Sequence, residues 1–87
     1  MSEGPQPYEA MTARVAAATG AHDMTRDEAD ALLWLAKTVA DTSGDRRAAP
    51  LTCYLAGQIL AEESDPQARV ARIRALADVL GRPADEQ

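Results

Sequence analysis

The sequence predicts an all-α domain, a compact bundle of four short helices in which the third helix is central. Glycines and prolines divide the 87 residues into four segments with helical periodicity. No stretch alternates apolar and polar residues as a strand would. The length fits one small core. We therefore expect a single helical domain over residues 7–81, between flexible ends at residues 1–6 and 82–87.

The first two helices are predicted from their start and stop signals. The first runs from about Pro7 to Thr19, stops at Gly20 and carries only a narrow apolar stripe. The second begins with the capping box formed by Thr25 and Glu28, in which each side chain accepts from a free backbone N–H of the other residue. It is predicted to continue to about residue 41 or 42.

The third helix is predicted from near Ala48 to about residue 63, and the fourth from Asp65 to Leu80. Pro50 lies in the first turn of the third helix, where the missing N–H costs nothing. Apolar residues lie on nearly every side of this helix, so it must be covered by the others or keep one face for another chain. Gly57 predicts close approach of a neighbouring backbone, because glycine inside a helix is otherwise costly.

Composition and charge exclude several classes of protein. The single cysteine cannot form an internal disulfide and lacks the paired spacing of a structural zinc site. No targeting segment and no apolar run of membrane-spanning length is recognisable, so a cytoplasmic location is expected. The net charge of −5 arises from residues 1–45. That excess of acids argues against nucleic-acid binding, and the third segment lacks the basic residues of a recognition helix.

Trp34 is the clearest outlier of the second helix. At 100° per residue it lies among polar and charged residues instead of in the apolar arc. One interpretation is a partner contact, since tryptophan is enriched at binding hot spots. The other is that the first helix or a terminal segment covers the indole ring.

Arg46 and Arg47 stand directly before the third helix. The free N–H groups and the dipole of a helix start favour an anion, so a phosphate or carboxylate could bind there. No glycine-rich phosphate-binding pattern accompanies them. The alternative is that these arginines pair with Asp41, Asp45 or the acids of the second helix.

The remaining reactive side chains do not form a catalytic or metal-binding pattern. Cys53 lies on an apolar helix side, far in sequence from the only histidine, His22. His22 and Asp23 alone do not make a metal site. The acids near the start of the second helix are explained by the helix dipole. We expect no enzymatic activity, no cofactor and no metal.

The stretch from Leu32 to Gly57, LLWLAKTVADTSGDRRAAPLTCYLAG, resembles a small all-helical domain of unknown function from high-GC bacteria. That domain occurs alone or fused to molybdenum-cofactor guanylyltransferases. The resemblance rests on the leucine- and alanine-bearing helix, a short loop ending in arginine, and the AAPLT segment that follows. It implies the helical fold and a setting in molybdenum-cofactor maturation, and it carries over no catalytic residue.

These observations predict a non-catalytic accessory module that binds a protein partner or a second copy of itself. Trp34, Arg46 and Arg47 are the predicted contact residues. The alternative function is a small-anion or nucleotide-binding domain that uses Arg46 and Arg47 at the helix start.

Overall fold

The computed structural model describes residues 6–82, and these form four α-helices without any strand. The helices are α1 (Pro7–Thr19), α2 (Arg26–Ser43), α3 (Ala48–Leu60) and α4 (Pro66–Leu80). The predicted all-α fold is confirmed. α3 ends three residues earlier than expected. The predicted flexible ends fall mostly on residues 1–5 and 83–87, which lie outside the described part.

Side chains and glycines bound the helices largely as predicted. The Thr25 hydroxyl accepts from the Glu28 N–H at 3.1 Å, and the Glu28 carboxylate accepts from the Thr25 N–H at 2.9 Å. Asp65 accepts from the Gln67 N–H at 3.2 Å and so caps α4. Gly44 ends α2 with φ of 74°, a left-handed conformation that glycine adopts without strain.

The hydrophobic core is shared by three helices, with α2 at its centre. α2 packs against both α3 and α4, while α3 and α4 touch each other little. The buried residues of the core cluster come from all three helices: Ala31, Leu35, Val39, Ala56, Ile73 and Ala77. The expectation that α3 is central is therefore not supported. α3 contributes only one of these buried residues, because it turns its small side chains towards α2.

α1 lies outside this core. None of its residues is buried, and its predicted apolar stripe leaves Met11 and Val15 about half exposed. Its main polar link to the rest of the domain is Glu9, whose two carboxylate oxygens each accept from Arg26 at 3.0 Å. The first helix is thus the most loosely attached of the four.

One buried ion pair joins α2 to α4. The Glu28 side chain is 7% exposed and accepts from the Nε and Nη2 groups of Arg69, which is 19% exposed. Arg69 also donates to the Glu63 carbonyl at 2.6 Å. Arg69 therefore pairs with Glu28 and not with its sequence neighbour Asp65. The hydrogen bond from Arg69, helped by the Thr25 backbone N–H, lowers the pKa of Glu28 against the opposing effect of burial.

The ion pair also fixes the direction of the helices. Glu28 and Arg69 lie in the first turns of α2 and α4. At the other end, Gly81 lies beside the methyl group of Thr38. α2 and α4 thus run in the same direction, and α3, which joins them in sequence, packs against α2 in the opposite direction.

Candidate interaction surface

The most unusual surface of the domain is the outer side of α3. At 100° per residue, Ala48, Ala49, Ala56 and Leu60 lie on the side of α3 that packs against the core, and the other large side chains turn away. The result is a row of exposed apolar residues that we call the α3 face: Leu51 (65% exposed), Tyr54 (70%), Leu55 (60%) and Ile59 (56%). Four large apolar side chains in a continuous row are more than the isolated exposed residues of an ordinary surface.

Charge is absent from this helix and concentrated at its two ends. Residues 48–61 contain no charged side chain, whereas Arg46 and Arg47 precede them and Glu62 and Glu63 follow. A surface that stays in contact with water gains solubility from charges, and α3 has none. The α3 face therefore lacks the charged side chains that usually accompany a solvent-facing helix surface.

An apolar groove adjoins the α3 face where α3 and α4 separate. Its volume is about 330 Å³. It is lined by Ala56, Ile59, Leu60, Arg72, Ile73, Ala75, Leu76 and Val79. Arg72 is the only charged lining residue, and its guanidinium has no ion pair within residues 6–82. The groove can accept an apolar side chain of a partner, with a cation at its edge.

Trp34 projects from α2 and is 51% exposed. α1 makes no close backbone contact with α2, and about half of the Trp34 surface is accessible. Trp34 does not line the groove. Its role as a contact residue stays a prediction.

The two arginines before α3 have different surroundings. Arg47 donates from Nε and Nη2 to the Asp45 carboxylate at 2.9–3.2 Å, and its backbone N–H donates to Asp45 Oδ1 at 2.9 Å. This pairing lowers the pKa of Asp45. Arg46 is exposed, and its guanidinium has no ion pair in the described part of the chain. The sequence suggested that both arginines pair with nearby acids, and in the described part of the chain Arg47 does so with Asp45.

The start of α3 offers few donors to an anion. The N–H of Arg47 donates to the Asp45 carboxylate, and the N–H groups of Ala48 and Ala49 donate to backbone carbonyls at 3.0 and 3.2 Å. Pro50 has no N–H. The donors that usually hold a phosphate at a helix start are thus already used, and this geometry does not favour the anion-binding alternative.

The reactive side chains are dispersed. Cys53 is half-buried, and burial raises the pKa of its thiol, which reduces its reactivity. Among residues 6–82, no group of three or more His, Cys, Asp or Glu residues is arranged to hold a metal ion. None of the described helices has the length and apolar character needed to cross a membrane.

A family model described as a domain of unknown function, DUF6457, matches residues 3–87. Comparison with curated proteins and with solved structures finds no significant match.

Proposed function

The chain belongs to the DUF6457 family of domains of unknown function, and since that description assigns no activity, we propose a function from the surface of the fold. The domain is a non-catalytic protein-interaction module, and the α3 face with the adjoining groove is its binding surface. The observation that carries this proposal is that α3, a helix without charged residues, exposes a continuous row of large apolar side chains.

The size of this surface sets the strength of binding. Burying an aliphatic side chain completely contributes about 1.5–3 kcal/mol, so each partly exposed residue of the α3 face offers about 1–2 kcal/mol. The four together offer about 4–8 kcal/mol, which is comparable to the cost of association. The groove, including its lining residue Val79, must therefore take part for binding to reach micromolar affinity, which corresponds to a binding free energy of about −8 kcal/mol.

Trp34 is proposed as a further contact residue because half of its large apolar surface is accessible. Its replacement by alanine should leave the fold almost intact, with a loss of unfolding free energy below about 1.5 kcal/mol, since the core does not include it. Loss of partner binding without loss of stability would support this role. A large loss of thermal stability would show that Trp34 acts in packing.

The test is affinity capture with the intact chain and with surface variants. Leu55→Asp places a charge in the α3 face, while Leu33→Asp places the same charge at an equally exposed leucine of α2, outside both the α3 face and the groove. We expect the intact chain and Leu33→Asp to retain the same protein and Leu55→Asp to lose it. Equal retention by all three would refute the assignment of the surface.

The setting that we propose is molybdenum-cofactor maturation, on the strength of the resemblance carried by residues 32–57. A direct test is titration of the domain into a purified molybdenum-cofactor guanylyltransferase from the same organism, followed by calorimetry. Saturable binding that Leu55→Asp abolishes is the expected result. Absence of heat at about millimolar concentration would remove this setting and leave the interaction module to be tested by capture.

A further inference from the structure

We propose that the α3 face binds a second copy of this chain, with the two α3 helices antiparallel across a two-fold axis. This inference rests on the proposed function and names the partner. It is drawn from the charges at the two ends of α3. Arg46 is left without an acid at the start, since Asp45 is held by Arg47. Glu62 is exposed at the other end and has no ion pair within the described residues.

An antiparallel arrangement brings these opposite charges together. If Leu55 lies at the axis, Leu51 of each copy meets Ile59 of the second copy, because the two are equally distant from Leu55 in sequence. The same register places residue 47 of one copy opposite residue 63 of the other, and residues 46 and 62 are then offset by two positions, about 3 Å along the helix axis. Two ion pairs thus form at the two edges of an apolar contact, related by the symmetry. A parallel arrangement would instead place arginine beside arginine and glutamate beside glutamate.

The charge distribution of the whole chain supports a second copy as the occupant. Each copy carries a net charge of −5, so association through most surfaces would bring acids together. The excess of acids lies in residues 1–45, whereas residues 48–61 carry no charge. Contact through α3 therefore lets two copies associate without bringing the acids of residues 1–45 together. The antiparallel helix dipoles add to this preference.

The contact area implies a weak dimer. α3 has 13 residues and is about 20 Å long. Two such helices, with the adjoining side chains, form an interface at the small end of the range for specific complexes. We expect a dissociation constant on the order of 10–100 μM, so the dimer should form only as the concentration is raised.

Sedimentation velocity of the full chain over about 5 μM to 1 mM tests this inference. The expected mass rises from 9.3 kDa towards twice that value. Leu55→Asp should remain a monomer throughout, and Leu33→Asp should dimerise like the natural chain. A natural chain that stays monomeric at the highest concentration, or equal dimerisation of the two variants, would overturn the proposal.

A charge exchange tests the antiparallel direction and does not depend on the Leu55 variant. Arg46→Glu and Glu62→Arg should each weaken self-association about tenfold at low salt, because each creates two like-charge contacts. Mixing the two single variants should restore a dimer of one copy of each, and the double variant should restore self-association. Unchanged self-association of both single variants would contradict the antiparallel arrangement, because in a parallel dimer each substitution only exchanges one like-charge contact for another.

The two proposals fail in different ways. If the chain stays monomeric while another protein is captured through the α3 face, the second copy is the wrong occupant and the interaction module stands. If neither self-association nor capture depends on Leu55, both proposals fall.

Discussion

Removing the cation of the buried ion pair should destabilise the domain strongly. In Arg69→Met the carboxylate of Glu28, whose side chain is 7% exposed, loses its only charged partner and keeps the Thr25 N–H. Breaking one side of a buried pair costs about 3–5 kcal/mol. The partial exposure of Arg69 and the remaining hydrogen bond reduce this to about 2–4 kcal/mol. That is a large part of the roughly 4–13 kcal/mol total for a chain of this length.

The assay is urea or thermal unfolding followed by circular dichroism. A loss of about 3 kcal/mol corresponds to a decrease in Tm of about 12–24 °C for a domain of this size. Arg74→Met is the matched control, because Arg74 is exposed on the same helix without an ion pair among the described residues. It should change stability by less than about 0.5 kcal/mol. A loss below about 1 kcal/mol for Arg69→Met would refute the reasoning that this pair is buried.

The same pair gives a pH dependence with a definite sign. The pKa of Glu28 is lowered in the folded chain by the Arg69 hydrogen bond, so the folded state binds fewer protons than the unfolded state in the acidic range. Its contribution is fully present above the unfolded pKa of about 4.3 and is lost as the pH falls through the folded pKa. The stability difference between the natural chain and Glu28→Gln should therefore be constant above about pH 5 and shrink as the pH falls below about 4.3. An unchanged difference would contradict the lowered pKa.

Three further substitutions and one chemical reaction test local features. Gly57→Ala should stabilise the domain by about 0.5–1 kcal/mol in urea unfolding, because an added methyl group would meet open space. Gly44→Ala should destabilise the domain, because φ of Gly44 is 74°, a left-handed conformation that alanine adopts only with strain. Thr25→Ala should cost about 1 kcal/mol through loss of the α2 cap, and an unchanged midpoint would exclude a role for this cap. Alkylation of Cys53 by iodoacetamide at mildly alkaline pH should be slower than in urea-unfolded chain, because burial raises the thiol pKa; equal rates would contradict this.

Local signals in the sequence predicted the elements of the fold well. The Thr25 capping box, Asp65 and the helix-ending glycines act between neighbouring residues, so their effects can be read from the sequence alone. The apolar character of α3 was also visible, together with the two possibilities that it is covered or kept for another chain. The periodicity did not decide between a covered and an exposed α3, because the exposure of α3 depends on where the other helices pack.

Features that join distant segments were not predicted. Arg69 pairs with Glu28 across 41 positions of sequence, a separation that no local pattern indicates. Gly57 was expected to touch a neighbouring backbone and instead faces open space. The groove beside Arg72 depends on the separation of α3 from α4. Each of these features depends on tertiary packing. Hydrophobic periodicity shows which face of a helix is apolar but not which other helix that face contacts.

The most direct test of the central claim is site-specific photo-crosslinking in living cells. Tyr54, the most exposed residue of the α3 face, is replaced by the similarly shaped benzoylphenylalanine, and Leu33 on α2 is replaced in the same way as the control. The account predicts a covalent protein adduct from position 54 and none from position 33. No adduct from position 54, or equal adducts from both positions, would contradict the claim that the α3 face is the interaction surface of this domain.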